Sequence, residues 1–142
     1  MRVLGIDYGD RRIGLALSDP SGTIASPLPT LTRRRGKRAP LRKLEELARE
    51  RAVEALVVGL PLELTGDESD WTREVRSVAE ELGRRLQVPV HLVDERLTSV
   101  RAERTIRKEL GLPRGKREER GRVDAAAAIL ILQGWLDREG SR

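Results

Sequence analysis

The chain has 142 residues with 28 Lys and Arg against 23 Asp and Glu, a formal net charge of +5, and it contains no cysteine and no phenylalanine. This length supports one domain with a real core, and the lack of cysteine excludes disulfides, thiolate metal sites and a cysteine nucleophile. The shortage of aromatic residues argues against stacking platforms for single-stranded nucleic acid, while the positive charge favours a polyanionic partner or simply a charge-rich surface.

The first part of the chain predicts an antiparallel meander of three strands. Residues 2–7 and 12–19 are short and apolar, and the intervening "YGDR" indicates a hairpin that turns at Gly9. A third strand is expected over residues 22–28, and Pro27 and the following Pro29 confine it to the edge of the sheet.

The pattern then alternates between helices and apolar runs. We expect helices over residues 40–52, 70–86 and 100–110, begun by Pro40, by an Asp70 cap and by a Thr98 or Ser99 cap, and buried strands over 55–60 and 88–95. After a basic loop at 113–122, an apolar helix covers residues 123–136, and Asp124 opens it. This order predicts an α/β fold with a mixed five-stranded sheet, the meander followed by parallel strands, and helices on both faces.

Acidic residues follow the predicted strands at the edge where sites form in α/β sheets. Asp7 ends the first strand, Asp94 and Glu95 end the last, and Asp124 heads the apolar stripe of the final helix. Three carboxylates in one pocket repel each other unless a hard cation such as Mg²⁺ or Mn²⁺ binds between them. Each acid also has a simpler interpretation: Asp7 as a turn residue, Asp124 as a helix cap, and Asp94 or Glu95 as a partner of Arg96.

Four ordered stretches resemble a known family. "GIDYGDRRIGLALSD", "VVGLPLELTGDES", "VDERLTS" and "RVDAAAAILIL" resemble the successive motifs of the YqgF (RuvX) family of RNase H-like nucleases, and the match covers nearly the whole chain. The resemblance implies a single RNase H-like nuclease domain over residues 1–142. It implies a metal-dependent phosphodiesterase that matures the 5′ end of pre-16S ribosomal RNA, with resolution of Holliday junctions in branched DNA as the alternative.

The resemblance carries catalytic roles onto Asp7, Glu95 and Asp124, with Asp94 the weaker candidate. In a mechanism with two metal ions, Asp7 would bridge both ions and the other two acids would complete their shells. Glu63 departs from the family pattern, which has a polar amide there, so the phosphate contact of that loop is in doubt.

Basic residues are expected to hold the nucleic acid, because Lys and Arg on phosphates gain affinity by releasing counterions. The predicted phosphate ligands are three arginines near the acids and two basic loops: Arg11, Arg12 and Arg96, then Arg33, Arg34, Arg35 and Lys37, then Arg114, Lys116 and Arg117.

Two other functions remain open at this point. A sugar-kinase or actin-like ATPase also uses a strand, "DxG", strand hairpin, but one domain of this size supplies only one of the two lobes that such enzymes need. A non-catalytic nucleic-acid-binding module is the other, although three acids weaken phosphate binding unless a metal neutralises them. We interpret His91, Trp71 and Trp135 as core residues rather than catalytic ones.

The chain begins with a strand pattern and shows neither a signal peptide nor an apolar run of bilayer length. We therefore expect a cytoplasmic protein without membrane contacts. The sequence leaves open whether it forms a homodimer.

Overall fold

The computed structural model describes residues 1–33, 38–97 and 117–140, and in the last segment it describes the side chains of residues 125–139. The predicted helix over residues 100–110 and its Thr98 or Ser99 cap lie outside the described residues. The elements are β1 (Val3–Tyr8), β2 (Arg12–Ser18), β3 (Ala25–Thr32), α1 (Leu41–Glu50), β4 (Ala55–Leu60), α2 (Asp70–Leu86), β5 (Val90–Asp94), a 3₁₀ turn (Glu95–Leu97) and α3 (Arg117–Gly140).

The five strands form one mixed sheet in the order β3-β2-β1-β4-β5. β1 pairs antiparallel with β2, and β2 with β3, whereas β1 pairs parallel with β4, and β4 with β5. The predicted meander followed by parallel strands is therefore confirmed. β1 and β4 are buried along their whole length because both of their faces are covered.

Two separate apolar cores lie on opposite faces of the sheet. One core packs the sheet against α1 and α2, with Leu44 and Leu82 among its fully buried members. The other packs it against α3 through Ala128, Ile131 and Leu132. Since side chains alternate along a strand, successive residues of β1 enter different cores.

Glycine lets α3 approach the sheet closely. A Cβ added at Gly5 of β1 would lie 2.7 Å from the Cβ of Leu132 and 3.3 Å from the carbonyl oxygen of Ala128. Neither the carbonyl oxygen of Ala128 nor the Cβ of Leu132 can move without moving the backbone of α3. Any larger residue at position 5 would therefore push the helix away.

The start of the final helix differs from the prediction. α3 begins at Arg117, so the second half of the predicted basic loop at 113–122 is helical, and Asp124 lies inside the helix instead of opening it. The interpretation of Asp124 as a helix cap is therefore wrong. Arginine and glutamate favour helices, and the run "REER" continues the helix ahead of the apolar stripe.

Smaller differences concern caps and strand ends. Ser69, not Asp70, caps α2, through a reciprocal capping box with Thr72. β3 continues past its two prolines to Thr32, which an edge strand tolerates. β5 is the other edge strand and only half-buried along most of its length, where the sequence predicted a buried strand.

Candidate active site

Asp7 is a buried carboxylate on the α3 face of the sheet. It is the last but one residue of β1 and is 4% exposed. Its place in the alternation matches that of Val3 and Gly5, both of which face α3, whereas Tyr8 beside it enters the opposite core. Asp7 therefore lies at the carboxyl end of the strand with its side chain directed toward α3.

Glu95 is a second buried carboxylate near the same face, on the far side of β4. It follows β5 directly, opens the 3₁₀ turn and is 5% exposed. A Cβ added at Gly59 of β4 would lie 2.7 Å from Cδ1 of Ile131 in α3 and 4.0 Å from Cγ of Glu95. Gly59 comes one residue after Val58, the partner of Ile6 in β1, and so stands level with Asp7. Gly59, which has no side chain, thus lies in the strand between β1, which carries Asp7, and β5, which leads into Glu95.

Asp94 has a different environment from its neighbour Glu95. Its carboxylate accepts hydrogen bonds from Nε and Nη2 of Arg96, the shortest at 2.7 Å, and from the backbone N–H of Arg96 at 3.0 Å. The Asp94 carboxylate raises the pKa of Arg96. The sequence left open whether Asp94 or Glu95 pairs with Arg96. In the structure the partner is Asp94.

Position 124 of α3 lies toward the same edge as Asp7. Gln133 of α3 hydrogen-bonds with Thr23 and Ala25, which lie level with the amino end of β1. The helix therefore runs from the carboxyl end of β1 toward its amino end. Nine helical residues from 133 back to 124 span about 13 Å, roughly the length of β1 from Val3 to Asp7. Asp124 also precedes Ala128 by four residues, which places it on the helix face that meets the sheet. Its side chain lies outside the described atoms.

The donor set fits a hard divalent cation. Asp7 and Glu95 offer only carboxylate oxygens, which Mg²⁺ and Mn²⁺ prefer, and a charge brought into a buried site is stabilised by such an ion. Among the side chains that the structure describes, no three His, Asp or Glu groups form a metal cluster. The side chain of Asp124 is not among those described, so its part in the site stays a prediction.

A cluster behind Asp7, which the sequence did not reveal, is built on Arg33. The side chain of Arg33 is 5% exposed, and its guanidinium lies over the rings of Tyr8 at 5.0 Å and Trp71 at 5.4 Å. It also pairs with Glu74 at 3.3 Å and with Asp10 at 3.8 Å. The prediction that Arg33 belongs to an exposed phosphate-binding loop is corrected: it joins the end of β3, the β1–β2 hairpin and α2.

Tyr8 shares this cluster and follows Asp7 in the chain. Its ring stacks on Trp71 with a centroid distance of 5.6 Å. Burial raises the pKa of the Tyr8 phenol, Arg33 acts in the lowering direction, and Glu74 adds to the increase. Trp71 is therefore a packing residue as predicted, and it fixes the strand end that carries Asp7.

Arg11 and Arg12 are the predicted phosphate ligands that the structure leaves available. They follow Gly9 at the tip of the β1–β2 hairpin, where a Cβ on Gly9 would come 2.4 Å from the carbonyl oxygen of Arg12. Neither guanidinium makes an ion pair within the described residues. Most other described arginines are neutralised by a nearby carboxylate, in the pairs Arg42–Glu46, Arg49–Glu45, Arg73–Asp70, Arg76–Glu68 and Arg84–Glu81.

The remaining predicted ligands divide into two groups. Arg96 is occupied by Asp94 and by the carbonyl oxygen of Leu64. The structure does not describe residues 34–37 and 98–116, nor the side chain of the first residue of α3. The predicted ligands in these positions are Arg34, Arg35, Lys37, Arg114, Lys116 and Arg117.

His91 and Trp135 contact each other on the α3 face, with ring centroids 4.7 Å apart. This contact supports the interpretation of both as packing residues. Across the described part of the chain, no helix has both the length and the apolar character needed to cross a membrane.

Comparison with known proteins identifies relatives of this chain. A family model described as "RuvX: Holliday junction resolvase" matches residues 1–138. A protein of Anaeromyxobacter sp. named "Putative pre-16S rRNA nuclease" is 49% identical over 137 residues, covering 96% of this chain and 97% of its own. One of the same name from Moorella thermoacetica is 45% identical over 140 residues, covering 99% of this chain and 97% of its own.

The fold also has a solved counterpart. The RuvC structure of Thermus thermophilus superimposes with a TM-score of 0.57 at 19% identity, covering 99% of this chain and 97% of its own. At this identity the similarity concerns the fold, which is the predicted RNase H-like one. The family match favours a nuclease over the ATPase and the non-catalytic module that the sequence left open. With a model match over residues 1–138 and relatives this similar along almost their whole length, the chain belongs to the RuvX family.

Proposed function

We propose that this protein is an endonuclease that hydrolyses nucleic-acid phosphodiesters with a divalent cation held by Asp7, Glu95 and Asp124. The observation that carries the proposal is the burial of Asp7 and Glu95, at 4% and 5% exposure, beside the side-chain-free position Gly59. Two buried carboxylates on one face of the carboxyl edge of a sheet suit a cation site, because a hard divalent cation offsets their negative charges.

Each acid has a defined part in this proposal. Asp7 is the central ligand, because it lies on the inner strand β1, and Glu95 and Asp124 approach from β5 and α3. When bound, two Mg²⁺ or Mn²⁺ ions would activate a water and stabilise the leaving oxygen. The chain itself fixes the ligands: the stacked Tyr8 and Trp71 hold the end of β1, and the 3₁₀ turn orients Glu95.

The phosphate backbone would be held first by Arg11 and Arg12. They lie four and five residues after Asp7, at the hairpin tip, and they make no ion pair within the described residues. A guanidinium that needs no internal partner loses little when it contacts a phosphate. Arg34, Arg35, Lys37, Arg114, Lys116 and Arg117 are proposed to extend this contact, whereas Arg33 is not.

The substrate we favour is the precursor of 16S ribosomal RNA, cleaved at its 5′ end. Two relatives that are more than 40% identical to this chain over nearly its full length are named "Putative pre-16S rRNA nuclease". A four-way DNA junction is the second candidate, because the family description names a Holliday junction resolvase. A protein that acts on ribosomal RNA would work in the cytoplasm, and a symmetric junction would favour a homodimer.

The experiment compares both substrates in one assay. Purified protein with Mg²⁺ or Mn²⁺ is incubated with a pre-16S RNA fragment and with a four-way junction, and cleavage is followed on a gel. Asp7→Asn is expected to abolish cleavage while preserving the circular dichroism spectrum, because it removes a ligand charge at almost constant volume. Asp137→Asn, an exposed carboxylate at the far end of α3, is the matched control.

Cleavage of neither substrate by the wild-type protein would contradict the proposal. An Asp7→Asn variant that cleaves at the wild-type rate would show that the acids serve another purpose. Preference for one substrate decides between the two candidates.

A further inference from the structure

The loop between β4 and α2, residues 61–69, is short and firmly braced. Oγ1 of Thr72, a fully buried residue, donates to the carbonyl oxygen of Pro61 at the start of the loop. In the middle, Nη1 of Arg96 donates to the carbonyl oxygen of Leu64 at 3.1 Å. Because Arg96 also binds Asp94 at the end of β5, the β4–α2 loop is tied to the strand that precedes Glu95.

The loop also closes on itself. The backbone N–H of Glu63 donates to the carbonyl oxygen of Asp67 at 2.9 Å, and that of Gly66 donates to the carbonyl oxygen of Glu63 at 2.8 Å. Gly66 has a φ of +93°, which favours glycine, and its open side is covered by the Arg96 guanidinium, 3.3 Å from the position of a Cβ. The tip of the loop is therefore held by hydrogen bonds within the loop and by the Arg96 side chain.

This fixed tip presents Leu64 to solvent. Its side chain is 79% exposed, more than any other large apolar side chain in the part of the chain that the structure describes. A single exposed leucine is ordinary on a protein surface. Here, however, three hydrogen bonds hold the backbone around it, at Glu63, Leu64 and Gly66, at the edge of the sheet that carries the acids, so a contact there would cost little conformational entropy.

The charges of the loop exclude a phosphate contact. Glu63 and Asp67 are exposed acids on either side of Leu64, and Arg96, which reaches the tip of the loop at Leu64, is already bound to a carboxylate and a carbonyl. Carboxylates repel phosphates but accept hydrogen bonds from the amino groups of bases. An apolar tip flanked by acceptors suits a nucleobase and does not suit the sugar-phosphate backbone.

We propose that the β4–α2 loop contacts an unpaired base of the nucleic-acid substrate, with Leu64 packed against the face of that base. Proteins commonly pack apolar side chains against bases that have left the stack, and specific recognition of RNA uses such unpaired bases. This inference rests on the proposed function. It divides the recognition surface: Arg11 and Arg12 hold phosphates, whereas Leu64 distinguishes unpaired from paired nucleic acid.

The test measures binding, not cleavage, with Ca²⁺ in place of the supporting metal. Fluorescence anisotropy is recorded for an RNA with an unpaired segment and for a fully paired duplex of the same length. Leu64→Ala is expected to weaken binding of the unpaired RNA by about tenfold, the effect of losing roughly one buried leucine contact, and to leave duplex binding unchanged. Leu64→Tyr is expected to strengthen binding of the unpaired RNA, because an aromatic ring stacks on a base.

Ile24→Ala is the matched control, since Ile24 is 60% exposed and lies in the β2–β3 turn at the opposite edge of the sheet. It should bind both probes as the wild type does. All three variants should keep the wild-type melting temperature, because the altered side chains are exposed. The salt dependence of binding should also be unchanged in Leu64→Ala, since no phosphate contact is lost.

Leu64→Ala binding the unpaired RNA as tightly as the wild type would overturn the base contact and leave the proposed nuclease intact. A loss of equal size on both probes would assign Leu64 to general contact and also overturn it. If the wild-type protein binds neither probe, the proposed function itself fails.

Discussion

Arg96 holds Asp94 with its guanidinium and its backbone N–H at 2.7 to 3.1 Å, while the next acid in the chain, Glu95, is buried toward α3. Two adjacent carboxylates thus have different surroundings. Asp94 belongs to the bracing of the β4–α2 loop, and Glu95 is the acid that we assign to the proposed cation site.

This difference predicts different effects of two isosteric variants. Glu95→Gln should reduce cleavage by about a hundredfold or more, with little change in the free energy of unfolding, because it removes a ligand. Asp94→Asn should lower the stability of the protein, because it weakens the hold of Arg96 on the β4–α2 loop, and should lower cleavage much less. Denaturant unfolding and cleavage rates of both variants check this, and equal loss of cleavage would contradict it.

The Arg33 cluster predicts a structural effect, not a binding effect. Arg33→Ala removes a buried cation from two rings and two carboxylates and should lower the free energy of unfolding by about 2 kcal/mol. The control is Arg42→Ala, because the side chain of Arg42 is 90% exposed and pairs with Glu46, so its loss should cost about 0.5 kcal/mol or less. Similar urea midpoints for the two variants would show that the cluster adds no stability.

The hairpin arginines predict a salt effect. Replacing Arg11 or Arg12 with Ala should weaken nucleic-acid binding at low salt and lower the slope of log K against log salt by about one for each lost phosphate contact. Arg84→Ala is the control, since that guanidinium is paired with Glu81. Binding isotherms at several salt concentrations measure the slope, and an identical slope in all variants would remove the hairpin tip from the interface.

Periodic apolar patterns predicted the sheet well. The limits of β4 at Ala55 and Leu60 agree with the sequence, because a strand covered on both faces is continuously apolar, and this apolar run is bounded by Glu54 and Pro61. The edge position of β3 followed from its prolines, since proline lacks the donor that an inner strand needs.

Features that depend on distant partners could not be predicted. Arg33 opens the run "RRRGKR", and the sequence does not distinguish it from the other basic residues of that run, but its burial is decided by Tyr8, Trp71 and Glu74 from two other parts of the chain. The separation of Asp94 from Glu95 likewise depends on where Arg96 points. Alternation alone indicates that one of them faces Asp7, and it does not indicate which.

Asp19 predicts a dependence of stability on pH. Its carboxylate accepts hydrogen bonds from the Ser21 hydroxyl and from the backbone N–H groups of Ile24 and Thr23, which lower the pKa of Asp19 from 3.8 to about 2. A pKa lowered by folding adds stability above about pH 4, and this stability is lost as the pH falls through about 2. Asp19→Asn should therefore be less stable than the wild type at pH 5, and the difference should shrink toward pH 2. Unfolding curves across this range measure it, and a constant difference would contradict the assignment.

The most direct test of the central claim is a thermal melt of the wild type and of Asp124→Asn, first with chelator and then over a Mn²⁺ titration. If Asp7, Glu95 and Asp124 share a cation, repulsion among them destabilises the metal-free wild type, so Asp124→Asn should melt slightly higher in chelator. Added Mn²⁺ binds the folded wild type and should raise its melting temperature progressively, with a much smaller rise in the variant. Identical melting temperatures of the two proteins at every Mn²⁺ concentration would contradict a cation site built on these three acids.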